Sequence, residues 1–132
     1  MATHNSLFKD TDVRRHPDGI AVSVQLPWYR SLWLSAVDDV TASVDGHEIP
    51  KDKLRFELQG RSYRIAELPE QSDTLWFLAD RPDIVIPLDD APDAGDTVKV
   101  EVVLTLRLLY MQIAPGRYVG NRVAVERDVV LA

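Results

Sequence analysis

Imidazole is the side chain that most often works as a general base or metal ligand near neutral pH. This 132-residue chain has three: His4, His16 and His47. None has a second histidine at the i+2 or i+4 spacing that would put both on one face of an element, so each reads as a solvated histidine. With no cysteine, there is no thiolate nucleophile, no thiolate metal site and no disulfide framework. The acidic run Asp89-Asp90-Ala91-Pro92-Asp93-Ala94-Gly95-Asp96 lacks the alternating ligands and the closing bidentate Glu of a calcium loop, and reads as a solvated loop. There is no Gly-rich phosphate loop and no Gly-x-Ser-x-Gly elbow. A working carboxylate pair cannot be picked from the 21 acidic residues without a fold. The chain therefore shows no self-sufficient set of nucleophile, base and metal.

Recognition chemistry is better represented. Two of the three tryptophans fall in Pro27-Trp28-Tyr29-Arg30-Ser31-Leu32-Trp33. Trp, Tyr and Arg are the residues that dominate binding hot spots, and their flat faces suit stacking on a sugar or an aromatic ring. Trp28, Tyr29, Arg30 and Trp33 are thus candidates for a partner or substrate pocket; the competing reading buries both tryptophans in the core. A second candidate is Pro115-Gly116-Arg117-Tyr118-Val119-Gly120-Asn121, where a glycine-flanked loop would present Arg117 and Tyr118.

The elements that must position these residues alternate with period two. Ile20 to Leu26 alternates up to Pro27. Val40 to Val44 runs into Asp45-Gly46, a tight-turn pair, with His47 to Ile49 as the return strand. Leu54 to Leu58 and Ser62 to Ile65 flank Gln59-Gly60 as a second hairpin. Leu75 to Leu78 and Ile84 to Ile86 are short apolar strands. Thr97 to Leu109 is the longest run, and its β-branched content favours strand over helix. Arg122 to Leu131 alternates again, and Ala114 to Asn121 is expected as a loop. Only Ser35 to Asp39 suggests a helical turn. The pattern predicts an all-β, antiparallel, jelly-roll-like sandwich of about eight short strands, with an N-terminal arm over residues 1–17 and a single domain over 18–132.

The net charge of −6 repels phosphate backbones, and no basic patch with interleaved aromatics offsets it, so nucleic-acid binding is not expected. Apolar runs are too short for a bilayer-spanning helix, and the first residues lack the basic-then-apolar pattern of a signal peptide. A cytoplasmic location without membrane attachment is the expectation.

The ordered set Leu26-Pro27-Trp28-Tyr29-Arg30-Ser31, Leu34-Ser35, Val44-Asp45-Gly46-His47-Glu48-Ile49-Pro50, Phe56, Gly60, Tyr63, Trp76 and Arg107-Leu108-Leu109-Tyr110 resembles the small β subunit of bacterial C-glycoside deglycosidases. The likeness covers roughly Gly19 to Tyr110. It departs at Ser31, usually glycine in that family, at Trp28, more often tyrosine, and at Asp89 to Asp96, which replace a Gly-rich turn.

The resemblance implies a division of labour. A larger α subunit, similar to sugar-phosphate isomerase barrels, would hold a divalent metal, typically manganese, and the catalytic histidine; this chain itself would bind no cofactor. The complex would cleave the carbon–carbon bond between a 3-oxo sugar and an aromatic aglycone, so that the 3-oxo-C-glycoside lies at the shared site. Two other readings stand beside it. One is a carbohydrate-binding or scaffolding sandwich acting alone. The other is a small cupin-like isomerase or lyase, which three scattered histidines support poorly.

Overall fold

The computed structural model describes residues 7–26, 31–90, 92–114 and 117–131; the side chains of residue 10 and of residues 108–121 are not described. Among the described residues eleven strands are joined by short 3-10 turns: β1 (Val13–His16), β2 (Gly19–Ser23), β3 (Leu32–Trp33), β4 (Val37–Val44), β5 (His47–Ile49), β6 (Arg55–Leu58), β7 (Arg61–Arg64), β8 (Leu75–Trp76), β9 (Asp83–Pro87), β10 (Thr97–Ala114) and β11 (Arg117–Val130). Every pairing is antiparallel. A five-stranded sheet runs β1-β2-β9-β6-β7, a four-stranded sheet runs β11-β10-β4-β5, and β3 and β8 form a separate two-stranded ribbon. The all-β expectation holds, with more strands than the eight expected.

Both large sheets send alternate side chains into one core, as the period-two pattern requires. Ile20, Val22, Ile84, Ile86 and Phe56 come from the five-stranded sheet, and Val40, Ala42, Val100, Val102, Leu104 and Val125 from the four-stranded one. Two hairpins close where the sequence placed them. Asp45 and Gly46 have φ of 52° and 82°, and Gln59 and Gly60 have 53° and 79°. Two consecutive positive φ values are what a two-residue hairpin turn needs to match strand twist.

Three expectations are corrected. Within the span read as an arm, Leu7 and Phe8 are fully buried and Val13–His16 pairs with β2. The Leu7 carbonyl accepts from the Gln25 N–H at 2.7 Å, and Phe8 is held by Arg127. It lies in the core-facing row of β11 opposite Val100, where a bare guanidinium would be costly. Its Nε donates to the Phe8 carbonyl at 2.7 Å, and its guanidinium lies 6.0 Å from the Phe8 ring centroid. The second correction concerns the long hairpin. β10 continues to Ala114 and β11 begins at Arg117, so most of the expected loop is strand. Gly120, which reads as a loop residue, pairs with Arg107 inside the sheet, a position glycine can occupy. Third, Leu34–Ala36 forms the 3-10 turn and Val37–Val44 is already strand, where a turn over Ser35 to Asp39 was expected.

On the outer face of the five-stranded sheet, Arg14 and Asp83 form a forked ion pair at 2.6 and 3.3 Å. Ser23 Oγ donates to Asp83 at 2.6 Å and accepts from Arg14 at 2.9 Å. Burial alone would raise the Asp83 pKa, but the hydrogen bonds from Arg14 and Ser23 and the Arg14 charge hold it below its ordinary value. The free edges of the large sheets all carry charge: Arg14 and Arg15 on β1, Arg61 and Arg64 on β7, Glu48 on β5, and Arg122, Glu126 and Asp128 on β11.

Two measurements follow. Because the folded pKa of Asp83 lies below its unfolded value, the stabilisation is complete above the ordinary carboxylate range and is lost as pH falls through the folded pKa. Asp83→Asn should flatten the acid side of a plot of melting temperature against pH; an unchanged acid limb would show that the pair adds nothing. At Gly19 an added Cβ would sit 2.3 Å from the Ile86 carbonyl oxygen and 2.7 Å from the Leu88 nitrogen, both backbone atoms. Gly19→Ala should therefore cost about 1–3 kcal/mol or more in denaturant unfolding.

Candidate functional site: an aromatic ribbon and the pocket beside it

The β3–β8 ribbon sets two residues inward and two outward. Leu32 pairs with Trp76 and Trp33 with Leu75. The inward pair is buried, Trp76 at 1% exposure, while Trp33 is 49% exposed. Trp76 packs edge-to-face on Phe56 of β6, with centroids 5.5 Å apart and planes at 70°, and its indole N–H donates to the Asp80 carbonyl at 3.3 Å. A buried indole with its polar end satisfied is a rigid anchor. Among the described residues the core tryptophan is Trp76, and the core reading of Trp33 does not hold.

Residues directly after β8 extend the exposed face. Phe77 is 52% exposed and Leu78 45%. The turn that carries them is braced on three sides. The Asp80 carboxylate accepts from the Phe77 N–H at 3.3 Å and from Gln59 Nε2 at 3.1 Å. The Asp80 N–H donates to the Phe77 carbonyl at 2.9 Å. The Leu78 N–H donates to Ser31 Oγ at 2.8 Å. Ser31, the position that departs from the resembled family, therefore ties the end of the sequence's aromatic cluster to this turn. Large apolar side chains held outward by hydrogen-bonded backbone are the composition and rigidity of a contact surface.

Of the candidates read from the sequence, Trp33 lies on this face. Trp28, Tyr29 and Arg30 lie outside the described residues, as does His4. Arg117 and Tyr118 are on β11, their backbones paired with Ala114 and Gln112, and their side chains are not described. His16 Nδ1 accepts from the Asp18 N–H at 3.1 Å. His47 lines an open groove with Asp45, Asp89, Asp90 and Asp96, but Asp45 accepts from the Lys99 N–H and Asp96 from the Asp93 N–H. Among the described residues no three His, Asp or Glu side chains are grouped so as to hold a metal ion. No helix among them is long and apolar enough to cross a membrane.

Sequence reasoning missed the pocket next to the ribbon, lined by Gln59, Arg61, Tyr63, Asp73, Thr74, Leu75 and Phe77. Tyr63 is 6% exposed, and among the described residues its buried hydroxyl has no hydrogen-bond partner. The Nε of Arg107, whose Nη2 donates to the Ser35 carbonyl at 3.0 Å, is likewise unpaired. Only the four consecutive apolar residues Leu75 to Leu78 could have signalled the exposed turn, because a half-buried strand would alternate.

With this geometry in view, the comparisons with known proteins are specific. The family described as C-glycoside deglycosidase beta subunit matches residues 2–110. The chain belongs to that family. It is 78% identical over its full length, and the full length of the relative, to a C-glycoside deglycosidase beta subunit of Arthrobacter globiformis. It is 31% identical over 96 residues to a 3'-dehydrocarminate deglycosidase beta subunit from a Microbacterium species, spanning 73% of this chain and 71% of the relative. A beta subunit of Microbacterium trichothecenolyticum is 36% identical over 94 residues, 71% and 70% of the two chains. Family membership by itself makes the chain one subunit of a larger enzyme.

The braces on the Phe77–Leu78 turn generate a prediction. Asp80→Ala removes two hydrogen bonds, each worth about 0.5–1.5 kcal/mol. Limited proteolysis should then cut first near residues 77–80 while the core stays intact. Cleavage no faster than in the parent chain would show that the turn does not depend on Asp80.

Proposed function

We propose that this chain is the β subunit of a heteromeric C-glycoside deglycosidase, and that the Trp33–Phe77–Leu78 face seats it on a larger α subunit beside the substrate. The observation that carries the reading is this braced, outward-facing apolar surface in a chain of the beta-subunit family. Trp28, Tyr29 and Arg30 adjoin the face in sequence, and Arg117 and Tyr118 are retained as further candidates. A sugar-isomerase-like barrel on the partner would contribute the catalytic base. A divalent cation held there, manganese by the family likeness, would supply Lewis-acid stabilisation of charge on the substrate oxygens. In this reading the partner, and not this chain, holds that ion.

The proposed reaction needs a ketone at the sugar C3. It acidifies the C2 proton, a base removes that proton, and the electron pair expels the aryl carbon from C1, which takes up a proton as it leaves. A separate oxidoreductase would supply the ketone. The two carbons part without any group from this chain entering the bond changes; its contribution is to wall the pocket, orient the aglycone and exclude water. A cytoplasmic setting is part of the same proposal.

Co-expression with a sugar-isomerase-like α subunit and assay on a 3-oxo-C-glucoside test the reading. Trp33→Ala and Phe77→Asp should each weaken assembly by about tenfold or more, with circular dichroism unchanged. Trp28→Ala and Arg30→Ala should lower assembly or turnover. If this chain alone turned over the keto sugar, or if none of the four changes altered assembly or rate, the proposal would fail.

A further inference from the structure

We infer that the end of the β10–β11 hairpin beyond Leu106 is a finger that docks in an uncharged apolar cleft of the α subunit, as a second attachment besides the Trp33–Phe77–Leu78 face. The inference rests on the heteromeric reading above and adds a surface to it. β10 runs to Ala114, but its pairing with β4 ends at Leu106, opposite Val37. From Arg107 onward its only strand partner among the described residues is β11, through Gly120, Val119, Tyr118 and Arg117. The hairpin thus continues past the four-stranded sheet as a two-stranded ribbon. On the β10 side it covers residues 107–114, roughly 25 Å at the rise of a strand.

Its sequence is that of a covered strand. After Arg107 come Leu108, Leu109, Tyr110, Met111, Gln112, Ile113 and Ala114, with no charge and no alternation. A strand with one solvated face alternates, whereas a continuous apolar run marks burial on both faces. A two-stranded ribbon is at best marginal in water, so this one needs another body against it. The register also skips Leu109, Tyr110 and Met111, since Leu108 pairs with Val119 and Gln112 with Tyr118. A bulge bends its strand and re-aims side chains. Bulky apolar residues at such a bend suit a shaped cleft better than a flat contact.

The placement favours the α subunit as occupant. Arg107, at the root of the finger, donates from Nη2 to the Ser35 carbonyl at 3.0 Å. Ser35 is buried and lies in the 3-10 turn Leu34–Ala36 directly after β3. The finger therefore starts from the turn that follows Trp33, and one large partner can span both. A second copy of this chain is disfavoured by charge, because each copy carries −6 and like charges repel. The absence of charge from 108 to 114 asks for a cleft lined by aliphatic and aromatic side chains.

The chain has no cysteine, so Met111→Cys gives it a single thiol whose alkylation by iodoacetamide is read by mass spectrometry. In the complex co-expressed with the α subunit that thiol should react about tenfold or more slowly than in the chain alone. Asp90→Cys, on the acidic loop before β10, should react equally in both. Leu109→Asp and Ile113→Asp should each weaken assembly by about tenfold or more. The melting temperature of the chain alone should not change, because both positions lie past the last β4 pair. Failure of the heteromeric reading shows as a parent chain that does not co-purify with the α subunit, which removes the occupant. Failure of the finger shows as a parent chain that co-purifies while the Met111→Cys thiol stays reactive, or while the aspartate variants assemble as the parent does. Protection of that thiol in the chain alone at raised concentration would make a second copy the occupant, and protection by phosphatidylcholine vesicles a membrane; either overturns the assignment.

Discussion

A two-stranded ribbon with two residues per strand does not persist in water by its own hydrogen bonds. β3 and β8 form one because Trp76 is driven into the core, where it meets Phe56 edge-on and hands its N–H to the Asp80 carbonyl. The outward arrangement follows from that burial. Side chains in a strand alternate, so with Trp76 inward, Leu75 and Trp33 must face out. The following turn folds over the same indole, bringing Phe77 and Leu78 to the surface. The exposed face is thus the mirror of a buried contact.

The same logic joins the ribbon to the five-stranded sheet. Phe56 lies opposite Tyr63 in the β6–β7 hairpin, and the Gln59 side chain at the hairpin turn reaches back to the ribbon. One hairpin therefore supplies the anchor for Trp76, a brace for the Phe77 turn and part of the neighbouring pocket wall. Contact surface and pocket share a mechanical base, and their linings meet at Phe77.

Local signals were legible in the sequence where local physics decides. Asp45-Gly46 and Gln59-Gly60 each end in a glycine, which accepts positive φ, and each closes its hairpin as expected. The alternation of Val40 to Val44 and of Thr97 onward maps onto core-facing rows. Partner-dependent features were not legible. Residues 7–17 carry no strong strand pattern, and Phe8 is fixed by Arg127, more than a hundred positions away. Gly120 looked like loop chemistry because glycine reports permissiveness, and the strand opposite decides how that is used. In the site, aromatic density pointed to Trp33. Phe77 and Leu78 looked like ordinary strand, since nothing local says that β8 stops at Trp76. The orphan hydroxyl of Tyr63 arises from tertiary packing and has no sequence signature.

The charged edges of the two large sheets have a consequence for the life of the chain before assembly. An open strand edge is a template for another chain, and natural proteins guard it with charge. Here β1, β7, β5 and β11 each present ionic side chains at the borders of their sheets, so stacking of copies edge to edge into fibrous polymers is opposed at every such border. Stickiness is left to faces, where shape decides the fit. Templating between copies along these edges is thereby disfavoured whether or not another subunit covers the exposed apolar face.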